Sequence, residues 1–364
     1  MAAHNFLKNS WYVAGWSVEV TKSLFSRTIL GESILFFRKE DGQVAALANR
    51  CPHRFAPLDM GTREGDSVRC GYHGLTFDTE GRCIAAPTAR GRVPDATIRT
   101  FPCEERHGLV WVWMGEPHRA DVTRIADLSE FEAPDVRHAS GGYLHCAVNY
   151  QLLIDNLLDL SHAAFVHPIF GNMSMCEAEL TIKTTPDTVR VDRWMPGCEV
   201  PLYLTGLFQP GSQVDHWLDM LLYQPTNMIL YFGVAAPGGS RKDAITGLAS
   251  HLLTPESETS THYFYSIAQP RHLATDADLQ IAHEAQRTAF TLEDKPIVEA
   301  CQRMMGTTDL MSLNPIILPD DSGAVRARRM LARMVRREMT NAGRATDDGD
   351  ATPETSQIGE DSFA

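Results

Sequence analysis

The sequence predicts an α+β protein of two domains: a small antiparallel β domain, then a larger domain joining antiparallel strands to helices. Three observations predict it. A length of 364 residues is enough for two separate cores. Up to about residue 118, short β-prone runs alternate with turns. Beyond that point, two long helical segments flank a series of strand-like runs. We place the first domain at residues 1–120, the second at 121–340, and a disordered acidic tail at 341–364.

In the first domain, "TILGESILFFRKEDGQVAALANR" sets Asp41 and Gly42 between two β-prone runs, a hairpin signal. "GLTFDTEGRCIAA" repeats the pattern around Gly81, and "GLVWVWMGEP" is a further strand ending in a turn. "PHRADVTRIADLSEF" reads as a linker. After it, Asn149–Val166 is predicted as one apolar helix, followed by strands around 178–268 and a helical segment over Asp276–Met305. Pro296 should kink that segment by clashing with the carbonyl of Leu292. "RARRMLARMVRRE" has apolar residues at helical spacing and is predicted to pack on its own domain or on a neighbouring subunit. The last residues are acidic and carry no core.

Composition narrows the function classes. A net charge of −13 argues against nucleic-acid binding, which needs a basic face. The N-terminus lacks the pattern of a secretory signal, and no run of about 20 apolar residues could cross a membrane. The expectation is a cytoplasmic protein, whose eight cysteines are thiols or metal ligands and not a disulfide framework. Neither a GxGxxG nor a GxxxxGK[ST] fingerprint occurs, so NAD and nucleotides are not expected to bind this chain.

Two stretches carry chemistry. In "CPHRFAPLDMGTREGDSVRCGYHG", Cys51 and His53 share one loop while Cys70 and His73 share another. Two thiolates and two imidazoles could hold one zinc tetrahedrally. They could instead hold a 2Fe–2S cluster, with the cysteines on one iron and the histidines on the other. The order Cys-His-Cys-His, with Pro52, Gly71 and Gly74 beside the ligands, differs from a zinc finger that carries its histidines on a helix.

The second stretch is "NYQLLIDNLLDLSHAAFVHP". Its apolar residues cover nearly the whole circumference, yet Asp155, Asp159 and His162 form one polar stripe. Buried carboxylates are costly unless they are paired or metal-bound. His162 and His167 lie about 140° apart on a regular helix and cannot meet on one ion unless it unwinds or ends between them. Pro168 supports an ending at His167.

Both stretches resemble those of one family. "CPHR…CGYHG" resembles the Rieske motif as it occurs in Rieske non-heme iron oxygenases, and Asp-x-x-His-x-x-x-x-His resembles the mononuclear iron motif of the same enzymes. The similarity runs over about residues 6–305, through "WYVAGW", "YHGLTFD", "LVWVWMG" and "LTPESETSTHYF". It is nearest to the single-subunit monooxygenases such as vanillate O-demethylase, toluenesulfonate methyl-monooxygenase and dicamba monooxygenase. The resemblance implies a Rieske β domain and a helix-grip catalytic domain. It implies a 2Fe–2S cluster on Cys51, His53, Cys70 and His73. It also implies mononuclear Fe(II) on His162, His167 and a distant carboxylate, with Asp294 preferred over Glu293 and Glu299, which read as solvated charges. Asn156 fits the position where relatives place an Asn. By the same resemblance, the chain is a head-to-tail homotrimer in which Asp159 bridges His73 of one subunit and His162 of the next.

The implied activity is the terminal oxygenase of a multicomponent system. Dioxygen and electrons from a separate reductase or ferredoxin would oxidise an aromatic substrate, by O-demethylation or methyl hydroxylation. N-dealkylation and attack on a ring or diaryl ether of a larger aromatic are the alternatives. No Lys or Arg occurs between Trp194 and Ser240, which favours an apolar substrate. His251 reads equally as a polar substrate contact or as a strand residue satisfied in the core, and small Ala285 could enlarge the cavity. The rival classes are a non-catalytic Rieske electron carrier, which would lack the second metal site, and a zinc-binding interaction module.

Overall fold

The computed structural model describes residues 6–90, 92–202, 208–209 and 211–347. The first domain is built of short antiparallel sheets. One joins β1 (Trp11–Trp16), β9 (Cys103–Arg106) and β10 (Leu109–Trp113) in the order β1-β10-β9. A second joins β2 (Phe25–Ile29), β3 (Glu32–Arg38) and β4 (Val44–Ala48). The third follows chain order through β5 (Thr62–Glu64), β6 (Ser67–Arg69), β7 (Thr76–Asp78) and β8 (Cys83–Ala85).

The Asp41–Gly42 hairpin joins β3 to β4, with Gly42 at φ +89°. One strand-like run of the sequence proves to be two strands. Leu30 and Gly31 both take positive φ, and Ile29 pairs with Glu32 across the resulting two-residue turn.

The expected linker is not a free tether. Its Ile125, Leu128 and Phe131 are buried with Trp11 and Trp113 of the first domain and Leu252 and Phe264 of the second. The Trp16 indole donates to the Gly142 carbonyl at 3.1 Å, and the Thr254 hydroxyl donates to the Val13 carbonyl at 2.8 Å. A shared aromatic core thus fixes one domain against the other.

The second domain is a seven-stranded antiparallel sheet. Its strands are β11 (Val136–Cys146), β12 (Glu179–Thr184), β13 (Thr188–Glu199), β14 (Gln213–Tyr223), β15 (Asn227–Ala235), β16 (Ile245–Ser257) and β17 (Ser260–Pro270). Their order is β11-β17-β16-β15-β14-β13-β12. β11 precedes the first helix and was not expected, because "VRHASGGYLHC" is interrupted by a bulge between Ala139 and Gly142.

The helices depart from expectation where function is concentrated. The single helix expected over Asn149–Val166 is α1 (Tyr150–Leu158), a short turn over Leu160–His162, and α2 (Ala163–Val166). Asp159 breaks it, adopting extended φ −110° and ψ 93° while its carboxylate accepts from the Ser161 N–H at 2.9 Å. The segment expected over Asp276–Met305 is α3 (Asp276–Thr288), a π-type stretch over Ala289–Asp294, and α4 (Lys295–Met305). The kink expected from Pro296 is therefore taken up as a widened turn just before it. A proline there lacks the N–H that a regular turn would offer to Leu292.

The basic segment forms α5 (Ser322–Asp347), whose Ala324, Ala327, Met330 and Leu331 are buried in the domain core. It runs seven residues into the tail expected to be disordered; the remainder of that tail, 348–364, lies outside the described residues. Among the described residues, no helix is long and apolar enough to cross a membrane.

Candidate metal centres and the adjoining cavity

The two loops of the first domain are built alike. The Cys51 N–H donates to the Ala56 carbonyl at 2.9 Å, and the Cys70 N–H to the Leu75 carbonyl at 2.8 Å. In return, the cysteine carbonyls accept from Phe55 and Gly74, each four residues on. Those two residues share a left-handed backbone, φ +58° and +76°. A side chain at Gly71 could not fit, since its Cβ would lie 2.7 Å from the Met60 carbonyl.

The matched loops sort the ligands by type. Cys51 and Cys70 are buried, with their thiols in hydrogen-bonding reach of one another. His53 is exposed and His73 half-buried, and their rings stand edge to face at 4.5 Å. Cysteines on the inner side and histidines on the outer side suit a two-iron cluster with both thiolates on one iron and both imidazoles on the other. The donors present fit a 2Fe–2S group.

In the second domain, the break at Asp159 turns His162 towards His167. The ligand atoms of His162, His167 and Asp294 all lie within 4.8 Å of one another. Asp294 Oδ1 is 3.4 Å from His162 Nε2, and Oδ2 is 3.3 Å from His167 Nε2. Both rings are held from behind. His162 Nδ1 lies 2.6 Å from the Asp159 carbonyl, and His167 Nδ1 lies 2.8 Å from Glu293 Oε2. Each Nδ1–H is donated outward, so Nε2 is the nitrogen that faces Asp294 and would bind a metal once its own proton is lost. With no metal bound, burial pushes the Asp294 carboxyl up, but hydrogen bonds and charge from the imidazoles in their protonated form outweigh it and hold the group well below the usual carboxylate range. Two neutral nitrogens and one carboxylate on one side fit mononuclear Fe(II) with positions left open.

Asn156 also reaches the trio: its amide donates to Asp294 Oδ1 at 3.2 Å. Close packing holds the second histidine in place. A Cβ on Gly171 would fall 1.8 Å from the Ala163 carbonyl, so only glycine lets the chain after His167 fold back on α2.

Three carboxylates sit differently from expectation. Asp155, grouped with the others as one stripe, faces away and takes Arg328 of α5 at 2.9 and 3.0 Å. Within this chain, the Asp159 carboxylate meets Ser161 and the fully buried Arg193, while its carbonyl makes the contact to His162. Glu293, read as a solvated charge, holds His167. Glu299 caps the Ala147 N–H and pairs with Lys295, as a structural residue.

The trio opens on a cavity of about 160 Å³ between the sheet and the helices, walled by residues such as Phe170, Met175, Leu230, Phe232 and Phe290. Among the described residues, no Lys or Arg lines it. His251 lines it and is buried, its Nδ1 2.5 Å from the Tyr263 hydroxyl; burial pushes its pKa down to about 3. Ala285 is not among the lining residues: the helix presents Ala282, Gln286 and Ala289 instead. His216 and Gln286 also line the cavity and escaped the sequence reading. For His216 a signal existed, because strand alternation puts it on one face with Val214, Leu218 and Met220.

Comparison with known proteins agrees with both centres. Residues 10–102 match the Rieske [2Fe-2S] domain family, and residues 146–337 match the vanillate O-demethylase oxygenase C-terminal domain family. The chain is 38% identical to the chloroacetanilide N-alkylformylase oxygenase component of Rhizorhabdus wittichii, over 92% of this chain and 97% of that one. It is 34% identical to the dicamba O-demethylase oxygenase component of Stenotrophomonas maltophilia, over 90% and 98% respectively. The crystal structure of dicamba monooxygenase bound to 3,6-dichlorosalicylic acid superposes with a TM-score of 0.85 at 33% identity, covering 92% of this chain and 99% of that one.

Proposed function

This chain belongs to the Rieske non-heme iron oxygenases, in the group with a vanillate O-demethylase-type C-terminal domain, and from that premise we propose that it oxidises an alkyl carbon attached to oxygen or nitrogen on an uncharged aromatic substrate. As an oxygenase component it uses a 2Fe–2S cluster and a mononuclear iron, and it draws electrons from a separate reductase or ferredoxin. The observation that carries the proposal is the His162/His167/Asp294 trio at the mouth of an apolar cavity without a cationic residue.

Each group has a task in this reading. The iron, when bound, supplies the site at which dioxygen is reduced. His162, His167 and Asp294 hold it on one side, and Asp159 and Glu293 fix the orientation of the two rings. Asn156 steadies the Asp294 carboxylate. Phe170, Phe232 and Phe290 exclude water and hold the aromatic ring, and His251 offers it a polar contact. For a methoxy substrate, one oxygen atom enters the O–CH3 carbon. The hemiacetal then collapses, so that substrate, dioxygen, two electrons and two protons give a phenol, formaldehyde and water.

Electron delivery is proposed to cross between subunits of a homotrimer. The outward histidines of the cluster are rimmed by exposed Phe55, Met60 and Tyr72, an apolar collar suited to a protein contact. In that assembly the half-buried Asp159 carboxylate would meet His73 of a neighbouring copy.

The test is turnover by the holoenzyme with a reductase, NADH and a panel of O-methylated and N-alkylated aromatics. Aldehyde release equal to the dioxygen consumed is the expected result. Dioxygen uptake that gives only hydrogen peroxide across the panel would overturn the reading.

A further inference from the structure

One polar group in the apolar cavity has no structural task. The His216 ring is 1% exposed and lines the cavity, yet neither ring nitrogen has a hydrogen-bond partner among the described residues. Leaving a buried donor and acceptor unpaired is costly, and a ligand that completes both would remove that cost. Gln286, 7% exposed on α3, likewise leaves its Oε1 unpaired in the same cavity.

His216 lies far along the sheet from His251. Strand pairing sets His251 opposite Met228 and Met228 opposite Leu222, so His216 sits six residues, or roughly 20 Å of strand, from the row of His251. The His251 end is the metal end: its ring is 5.5 Å from Phe290, on the π-type stretch that ends at Asp294. Away from that end, His216 pairs with Val234 and shares its strand face with Val214 and Leu218.

We propose that His216 is the specificity-determining residue of this oxygenase, reading an uncharged group with both a hydrogen-bond donor and an acceptor, such as a carboxamide, at the end of the substrate remote from the oxidised carbon. The inference rests on the oxygenase reading above and names its substrate class. A neutral imidazole offers one N–H and one lone pair, and the Gln286 oxygen only accepts. A carboxamide satisfies such groups. A carboxylate brings acceptors alone, would set its charge against the Gln286 oxygen, and finds no Lys or Arg in the lining. Burial keeps His216 uncharged, with its pKa pushed down to about 4, so it does not provide the missing cation at neutral pH.

The experiment measures binding and needs no turnover. Calorimetric titration of the holoenzyme with 4-methoxybenzamide, 4-methoxybenzoate and 4-methoxytoluene compares ligands of one size and one methoxy group. The amide is expected to bind at least about tenfold more tightly than the carboxylate. His216→Leu should weaken the amide by about tenfold and the toluene far less, with iron content unchanged; His216→Asn, which keeps a donor and an acceptor, should restore most of the loss. In turnover, His216→Leu should raise KM for the amide more than it lowers kcat. Carboxylate binding as tight as the amide, no amide binding, or an equal loss for all three ligands in His216→Leu would overturn the proposal. Amide binding without formaldehyde release would instead count against O-demethylation and leave the role of His216 standing.

Discussion

Glu293 Oε2 lies 2.8 Å from His167 Nδ1, while the next residue, Asp294, places Oδ2 3.3 Å from the Nε2 of the same ring. Consecutive residues of one helix thus grip a single imidazole from both sides. On a regular helix, neighbours point about 100° apart. The π-type stretch over Ala289–Asp294 widens the helix at this point and lets both carboxylates reach the ring. Glu293 sets the tautomer of His167, and in the proposed site Asp294 would share its metal.

Removing that rear support should loosen the metal without abolishing the site. Glu293→Gln keeps the shape but accepts more weakly from His167, and mononuclear iron affinity should fall roughly 10–100-fold. Fe(II) titration of the apo-site variant checks this. Unchanged affinity would reduce Glu293 to a surface charge.

Losing a ligand should separate the two centres. Asp294→Asn should lower iron from about three to about two atoms per chain, with the visible spectrum of the cluster intact. The cluster loops lie in a different domain from the trio. Parallel loss of cluster and mononuclear iron would show instead that Asp294 is needed for the fold.

Legibility in the sequence followed distance along the chain. Cys51, His53, Cys70 and His73 could be read because each loop supplies a Cys and a His two or three residues apart. Asp294 could be named only by resemblance, since Glu293 and Glu299 are chemically equivalent candidates on the same helix. The break at Asp159 was invisible because the apolar period continues through it. Glu293 was missed because a helix register assumed regular put it in solvent, whereas the π-type turn brings it inward. Asp155 was grouped with Asp159 and His162 as one polar stripe, but its partner is Arg328, 173 residues later. Such a pairing leaves no local trace.

That pair yields a stability prediction. Arg328→Met leaves the Asp155 carboxylate inside α1 and α5 without its partner and should cost about 2–4 kcal/mol. Adding Asp155→Leu removes the stranded charge and should recover most of the loss. Urea unfolding of both variants checks this. If the double variant is no more stable than Arg328→Met, the pair is not the source of the cost.

Stability should also depend on pH through His216. Burial lowers its pKa to about 4 in the folded chain, against about 6.5 when unfolded. The unfolded chain therefore binds the proton first. The contribution is fully present above about pH 6.5 and is lost as pH falls towards 4. The flanking carboxylates do not offset this: Asp215 is held by the Gly197 and Gly238 N–H groups, and Asp219 by Arg190 and Arg241, on the other face of β14. His251 and His262 shift in the same direction but are common to wild type and His216→Leu. The difference between the two proteins isolates His216. Between pH 7.5 and 5.0, urea midpoints should show wild type losing about 2 kcal/mol more than His216→Leu. Parallel curves for the two proteins would mean that His216 is already protonated or solvated in the fold, and its place as an uncharged cavity residue would fall with it.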